Sequence, residues 1–231
     1  MDFLFDSFSS ALLLVLSMDR ELVSIVAVSL RVSGSATLLA ALVGVPLGFA
    51  VAFSSFRGKE LLITFFNTLL ALPTVVIGLF LYGLISRRGI LGELELLYTQ
   101  TAMVMGQTLL IVPVVVTFTI AAVSRIDSRY RKTAMTLGAS RLQTAMVVMR
   151  EARFGIAAAI IAAFGRVIAE VGIGMMLGGN ARGFTRNMTT AMALEYDKGE
   201  FTLAVALGLI LMGISFGINF LFHFLQGRTR T

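Results

Sequence analysis

Five long apolar runs dominate this sequence and limit the folds that it can adopt. They cover residues 22–53, 61–85, 101–123, 154–177 and 201–225. A transmembrane helix needs about 20 mostly apolar residues, and each run is long enough. Only 14% of the 231 residues are charged, whereas a soluble domain carries about 25%. The sequence therefore predicts an all-α membrane protein with about five transmembrane helices.

A shorter apolar segment, "FLFDSFSSALLLVLS", precedes the first run. The first charges of the chain, Asp2 and Asp6, are acidic, whereas a secretory signal peptide begins with basic residues. We predict an uncleaved helix that lies in the membrane interface over residues 1–20, with a sixth span as the alternative. A transmembrane domain then covers residues 21–227, and residues 228–231 form a cytoplasmic tail.

Two kinds of residue inside the runs predict how the helices bend and pack. Three prolines, at which we expect kinks, are Pro46, Pro73 and Pro113. Two glycine pairs, Gly44-xxx-Gly48 and Gly213-xxx-Gly217, offer small faces for close helix packing. Five helices are few to enclose a polar path, so we expect a second copy of the chain, with the path on the two-fold axis.

Lys and Arg residues in the connections predict the orientation in the membrane. Eleven lie in the C-terminal tail and in the connections on the side of residues 125–153, and six lie on the opposite side. Positive residues collect on the cytoplasmic side of a membrane protein. We therefore predict an inner-membrane protein with its N-terminus outside and its C-terminus in the cytoplasm. The same bias accounts for the net charge of +6 without a nucleic-acid partner.

One basic segment interrupts the apolar pattern between the third and fourth runs. It reads "DSRYRKTAMTLGASRLQTAMVVMREAR" from residue 127 and contains six Lys and Arg residues. Asp127 can cap one short helix, Gly138 can end it, and Ser140 with Gln143 can form a capping box for the next. Two interpretations of this hairpin are open. It inserts into a groove of another protein, or it lies on anionic lipid headgroups.

Within this segment, "KTAMTLGAS" resembles the EAA motif of permease subunits of bacterial ATP-binding cassette (ABC) importers. Lys132 stands where that motif usually has an acid, and Gly138 matches its glycine. In that family the hairpin is a coupling helix that docks into a cleft of the ATPase subunit. The resemblance implies that the contact residues here are Thr133, Ala134, Leu137, Gly138, Ala139, Ser140 and Arg141.

Three further stretches are similar to molybdate-type permeases. "SLRVSGSATLLAALVGVPLGFAVA" resembles their first core span, "FGRVIAEVGIGMMLGGN" their fourth, and "TRNMTTAMALEYDKGEF" a loop of the tungstate branch. The resemblance implies the type I importer fold, two ATPase copies, an extracytoplasmic oxyanion-binding protein and tungstate as substrate. The same fold importing molybdate or sulfate is one alternative, and a membrane scaffold that transports nothing is another.

The composition excludes several chemistries. The chain has no Cys and a single His223, which is too few ligands for a typical zinc or haem site. The G-x-x-x-x-G-K-[ST] signature of nucleotide-binding loops is absent. We therefore expect a transport subunit rather than an enzyme, with no cofactor or metal bound to this chain. ATP and Mg²⁺ would be used by the partner ATPase.

Charges and hydroxyls in or near the spans are candidate contacts for a translocated anion. Arg166 and Glu170 lie four residues apart, which predicts one helical face. In our interpretation Arg166 helps an oxyanion past the midplane and Glu170 prevents tight binding, with a structural ion pair as the alternative. Arg31 is a similar candidate, although it can also snorkel to the interface. Thr189 and Thr190 offer hydroxyl donors for a tetrahedral dianion, or belong to a plain surface loop.

Overall fold

The chain is helical along most of its described length. We analysed a computed structural model of the protein, which describes the backbone of residues 2–227 and the side chains of residues 7–224. The predicted tail at 228–231 lies outside these residues. One 3-10 turn covers Gly92–Leu94. The α-helices of the described chain are α1 (Asp2–Leu16), α2 (Arg20–Phe53), α3 (Lys59–Leu69), α4 (Thr74–Ile85), α5 (Gln100–Ser124), α6 (Ser128–Thr136), α7 (Arg141–Ile168), α8 (Gly172–Gly178), α9 (Met188–Lys198) and α10 (Phe201–Gly227).

The described residues contain up to five helical segments that are long and apolar enough to cross a membrane, if each bent helix pair counts as one span, and the all-α membrane fold class is confirmed. Three of them are the single helices α2, α5 and α10. The other two are bent pairs, in which α3 meets α4 at 91° and α7 meets α8 at 64°. The fourth predicted run is therefore not one continuous helix, because the chain leaves the helical conformation between Ile168 and Gly172.

Of the three prolines, Pro73 alone coincides with a break between helices. It precedes the first residue of α4 and has an extended conformation, and a proline ring disfavours helical geometry in the residue before it. Pro46 and Pro113 lie inside α2 and α5, which continue through them.

Glycines allow α2 and α5 to pack closely. A β-carbon on Gly48 would lie 2.7 Å from the carbonyl oxygen of Val116, and one on Gly44 would lie 2.9 Å from the side chain of Val115. The Gly44-xxx-Gly48 pair therefore serves packing within this chain. The Gly213-xxx-Gly217 pair of α10 has no described neighbour within 4 Å of either built β-carbon.

The short helix α8 is wedged against α4 and α5. The sulfur of Met176 would lie 2.8 Å from a β-carbon on Gly78, and side-chain carbons of Ile173 and Leu177 would lie 2.6 Å from one on Gly106. Ile173 and Leu177 are completely buried. Helix α8, the second half of the fourth span, therefore packs closely on α4 at Gly78 and on α5 at Gly106.

The helix bundle has two ends, which we call the hairpin side and the far side. The hairpin side holds the end of α2, the start of α3, and the turn between α6 and α7; the far side holds the start of α2, the 3-10 turn and α9. Helix α1 packs against α10 with Ala11 fully buried. Its 15 residues measure roughly 22 Å at 1.5 Å per residue, which is less than the hydrocarbon thickness of about 30 Å. Its location in the interface stays a prediction.

Candidate coupling hairpin and translocation site

The turn between α6 and α7 is built by backbone hydrogen bonds around Gly138. Gly138 has φ +82°, in the left-handed region that favours glycine. The amide of Gly138 donates to the carbonyl of Met135 at 3.1 Å, and the amide of Ala139 donates to that of Ala134 at 3.0 Å. This pair of bonds is a Schellman motif, so the predicted glycine stop is confirmed.

Both helices of the hairpin carry the predicted caps. The Asp127 carboxylate accepts a hydrogen bond from the amide of Arg129 at 2.8 Å. The Ser140 hydroxyl accepts from the Gln143 amide at 3.3 Å, and the Gln143 side chain accepts from the Ser140 amide at 2.8 Å. These bonds satisfy amides that a helix start leaves free, so the hairpin has a defined shape without any buried residue in α6.

The tip of the hairpin exposes apolar side chains. Leu137 is 81% exposed, Leu142 72% and Met135 58%. Around them, the remaining predicted contact residues are exposed or half-buried: Thr133, Ala134, Gly138, Ala139, Ser140 and Arg141. Exposed apolar residues that cluster in this way are typical of interaction sites, and contact of these residues with an ATPase stays a prediction.

Arg131 joins the hairpin to the end of α2, which the sequence did not reveal. Its guanidinium donates to the carbonyl of Phe53 at 3.2 Å and lies 4.6 Å from the centre of the Phe53 ring. The Phe53 ring stacks on Phe49, with 5.5 Å between centroids. A force on the hairpin would therefore reach the first span directly.

Arg31 and Arg166 are both exposed on the surface of the single chain. Neither side chain has a hydrogen bond or an ion pair with any described residue. Arg31 lies inside α2, Arg166 lies in the last turn of α7, and the two helices pack together. Unpaired charges at membrane depth face a water-filled cavity or another subunit. Contact of either residue with a translocated anion stays a prediction.

Glu170 does not share a helical face with Arg166, and that prediction was wrong. α7 ends at Ile168, and Glu170 lies in the break, where its carboxylate accepts from the amide of Ile173 at 3.3 Å. No ion pair joins it to Arg166. The Thr189 hydroxyl, 2.8 Å away, donates to the Glu170 carbonyl. At this break, hydrogen bonds from the Thr189 hydroxyl and to the Glu170 carboxylate thus take the place of regular α-helical hydrogen bonds.

Thr189 and Thr190 are buried at the start of α9. The Thr190 amide donates to the Asn187 side chain at 2.9 Å, and the Thr190 hydroxyl accepts from the Asn187 amide at 3.1 Å. The Thr189 hydroxyl also lies 2.9 Å from the Asn187 side-chain oxygen. In this conformation both hydroxyls are hydrogen-bonded within the protein, and their contact with an anion stays a prediction.

Acidic side chains pair with three basic residues on the far side. Arg186 lies 3.6 Å from Glu21 and 3.8 Å from the buried Glu195, which Lys198 also approaches to 2.9 Å. Arg182 bonds to Glu21; this hydrogen bond and the charge of Glu21 raise the pKa of Arg182. The network ties α9 to the start of α2 and pairs these three basic residues with carboxylates.

Tyr98 is a further anchor that sequence reasoning missed, since nothing in its local sequence indicates a turn. It has φ +62°, its amide donates to the Leu177 carbonyl at 2.8 Å, and its ring packs against Gly179. A hydrogen bond with Tyr82, followed by the charge of Tyr82 and burial, raises the pKa of the Tyr98 phenol. Tyr98 thereby fastens the connection between α4 and α5 to the end of α8.

A family profile described as "Binding-protein-dependent transport system inner membrane component" matches residues 44–231. The chain belongs to this permease family. It is therefore a multi-pass inner-membrane transport subunit, and the resemblance to ABC importer permeases is confirmed.

Several characterised permeases align with nearly the whole chain. The tungstate uptake system permease protein TupB of Peptoclostridium acidaminophilum is 38% identical over 226 residues, which cover 98% of this chain and 99% of the relative. TupB of Campylobacter jejuni is also 38% identical, over 98% of this chain and 95% of its own. A probable anion ABC transporter permease of Haloferax volcanii is 41% identical over 90% of this chain and 92% of its own.

The fold of this permease matches that of a solved importer. The crystal structure of a bacterial ABC transporter involved in the import of alginate aligns with a TM-score of 0.69, over 98% of this chain and 83% of that chain. The sequence identity is 16%, so the likeness concerns the fold alone. A second structure of a bacterial alginate transporter, in complex with a substrate-bound periplasmic protein, aligns with a TM-score of 0.66.

Proposed function

We propose that this permease imports tungstate with energy supplied by a separate ATPase. The observation that carries the proposal is the preorganised hairpin with exposed Leu137 and Leu142, in a chain without a nucleotide-binding signature. Tungstate is favoured because two relatives named as tungstate uptake permeases align with nearly the full chain.

In this proposal the hairpin side is cytoplasmic, and the N-terminus lies outside. Eleven Lys and Arg residues against six favour this orientation. Each of two ATPase copies, which use ATP and Mg²⁺, holds one hairpin through residues 133–141. ATP-driven closure of the ATPases pulls the hairpins together and rocks the two permease copies between inward-open and outward-open states. Arg131 transmits this movement to α2 through Phe53.

Two copies of the permease face each other across the path, with the surfaces that carry Arg31 and Arg166 turned inward. An unpaired guanidinium in this position is stabilised by water or by a passing anion. A tetrahedral dianion accepts charge-assisted hydrogen bonds from such groups. Glu170, which lies in the break after α7 and not on the helical face of Arg166, limits how tightly the anion is held. Thr189 positions the break through its hydrogen bond to the Glu170 carbonyl, and the hydroxyls of Thr189 and Thr190 are candidate donors to the anion.

An extracytoplasmic binding protein selects and delivers the anion. On the far side, Arg182, Arg186 and Lys198 are paired with carboxylates, so these three charges are not available for capturing a dianion. A dedicated receptor would remove the need for such a charge. Selection between tungstate and molybdate, which share charge and geometry, then resides in that receptor.

Uptake by reconstituted vesicles tests the proposal. The complex of permease, ATPase and tungstate-loaded binding protein should accumulate tungstate only with ATP, and excess molybdate or sulfate should compete less well than tungstate. Arg166→Gln should lower the initial rate by about tenfold or more, since a lost charge-assisted bond costs about 1.5–3 kcal/mol. Arg57→Gln, which removes an exposed charge from a loop, is the matched control.

Each outcome bears on a different part of the proposal. Absence of ATP-dependent uptake of any of the three oxyanions would contradict the import function. Stronger competition by molybdate would assign molybdate as the substrate instead. Normal uptake by the assembled Arg166→Gln complex would remove Arg166 from the path.

A further inference from the structure

The connection between α4 and α5 carries an exposed apolar surface that the transport path does not use. Ile90 is 87% exposed and Leu94 is 60% exposed. In the same connection, Leu91 and Leu97 pack against the main hydrophobic core. The loop thus directs two aliphatic side chains inward and presents two outward. We call the exposed surface of Ile90 and Leu94 the outer knob.

The backbone beneath the outer knob is held in one conformation. The Leu91 amide donates to the Leu84 carbonyl at 2.9 Å, and the Gly92 amide donates to the Gly89 carbonyl at 3.0 Å. A β-carbon on Gly92 would lie 2.6 Å from the Ser86 carbonyl oxygen, so only glycine allows this close return of the chain. A rigid loop loses little conformational entropy when a partner binds it.

Charges surround the outer knob on both sides. Arg87 and Arg88 precede it, Glu93 and Glu95 flank Leu94, and all four are exposed. An apolar centre with a polar rim is the usual anatomy of a protein–protein contact. Two guanidinium groups and two carboxylates give this rim no net charge, so it has no net electrostatic attraction to anionic lipid headgroups. The surface therefore suits a protein better than a membrane.

An open groove of about 620 Å³ lies beside the knob and is lined in part by Arg87, Arg88, Tyr82 and Tyr98. Glu95 also lines the groove, so its two guanidinium groups, one carboxylate and two phenols suit a partner that presents charges of both signs. The groove also reaches Tyr98, whose amide is bonded to the Leu177 carbonyl at the end of α8. Tyr98 therefore links the groove beside the outer knob to α8, the second half of the fourth span.

We propose that the outer knob is the docking point of the extracytoplasmic binding protein on this permease. The partner would present an apolar hollow for Ile90 and Leu94 and acidic side chains for Arg87 and Arg88. This inference rests on the proposed function, which places the loop outside the cell. Tyr98 then acts as a positioning residue that links docking to α8.

The test measures the affinity of the tungstate-loaded binding protein for the detergent-solubilised permease–ATPase complex, where no bilayer contributes. Loss of a central aliphatic contact weakens protein complexes by about tenfold or more, so Ile90→Ser with Leu94→Ser should raise the Kd by at least that factor. The amount of co-purified ATPase should stay unchanged. Leu61→Ser, at a position that is 76% exposed on the hairpin side, is the matched control and should leave the Kd unchanged.

Tyr98→Ala provides a second readout. It should leave the Kd of the binding protein nearly unchanged but lower the maximal stimulation of ATP hydrolysis, because docking no longer reaches α8. An unchanged Kd in the double serine variant would overturn the docking proposal. A defect seen in vesicles but not in detergent would instead assign the knob to the lipid interface. If the wild-type complex did not bind the protein at all, the proposed import function would fail rather than the site.

Discussion

Replacement of Gly138 by alanine tests the coupling hairpin through its backbone alone. Gly138 has φ +82°, and apart from the adjoining chain no described neighbour lies within 4 Å of a β-carbon built there. The substitution therefore adds no clash, and its cost is that of holding an ordinary residue in the left-handed region, about 1–2 kcal/mol. The docking-competent turn should then be about 5- to 30-fold less populated, since 1.4 kcal/mol corresponds to a factor of ten.

Gly199 provides a closely matched control. It lies at the end of α9 on the far side and has φ +80°. Apart from the adjoining chain, no described neighbour lies within 4 Å of a β-carbon built there. Gly199→Ala therefore introduces a similar backbone strain. Titration of the purified ATPase onto the solubilised permease should show a Kd raised by about 5- to 30-fold for Gly138→Ala only. Gly138→Asn should recover part of the affinity, because Asn tolerates the left-handed region better.

Two results would refute this reasoning. An unchanged Kd for Gly138→Ala would mean that the bend is not needed for docking. An equal loss in Gly199→Ala would mean that general destabilisation, rather than the hairpin, weakens the complex.

Two further substitutions address the packing and the break beside the path. Gly48→Ala should lower the thermal midpoint in detergent, because overpacking against the α5 backbone costs about 1–3 kcal/mol. Gly34→Ala should raise the midpoint through helix propensity, because no described neighbour lies within 4 Å of a β-carbon built there. Equal midpoints for the two variants would contradict the close α2–α5 contact. Thr189→Val should lower the free energy of unfolding by about 1–3 kcal/mol, because the Glu170 carbonyl loses its hydrogen bond. Thr189→Ser should keep a thermal midpoint near that of the wild type. A valine variant as stable as the wild type would show that this hydroxyl does not hold the break.

Local interactions explain why the sequence alone predicted the spans and the hairpin. The five apolar runs are long enough to cross a lipid bilayer whatever their neighbours are. Asp127, Gly138 and Ser140 act on backbone groups within five residues of themselves. The types and spacing of such residues are visible in a single sequence, so the shape of the hairpin follows from them.

Tertiary structure alone decided the features that depend on distant partners. The fourth span breaks at Glu170, where the hydroxyl of Thr189, nineteen residues away, bonds to its carbonyl. Gly44 and Gly48 pack against α5 of the same chain, although their spacing was equally compatible with contact between copies. Tyr98 is held by a carbonyl at the end of α8. Each of these contacts needs the position of a second element, which depends on the packing of the whole bundle and not on any local pattern.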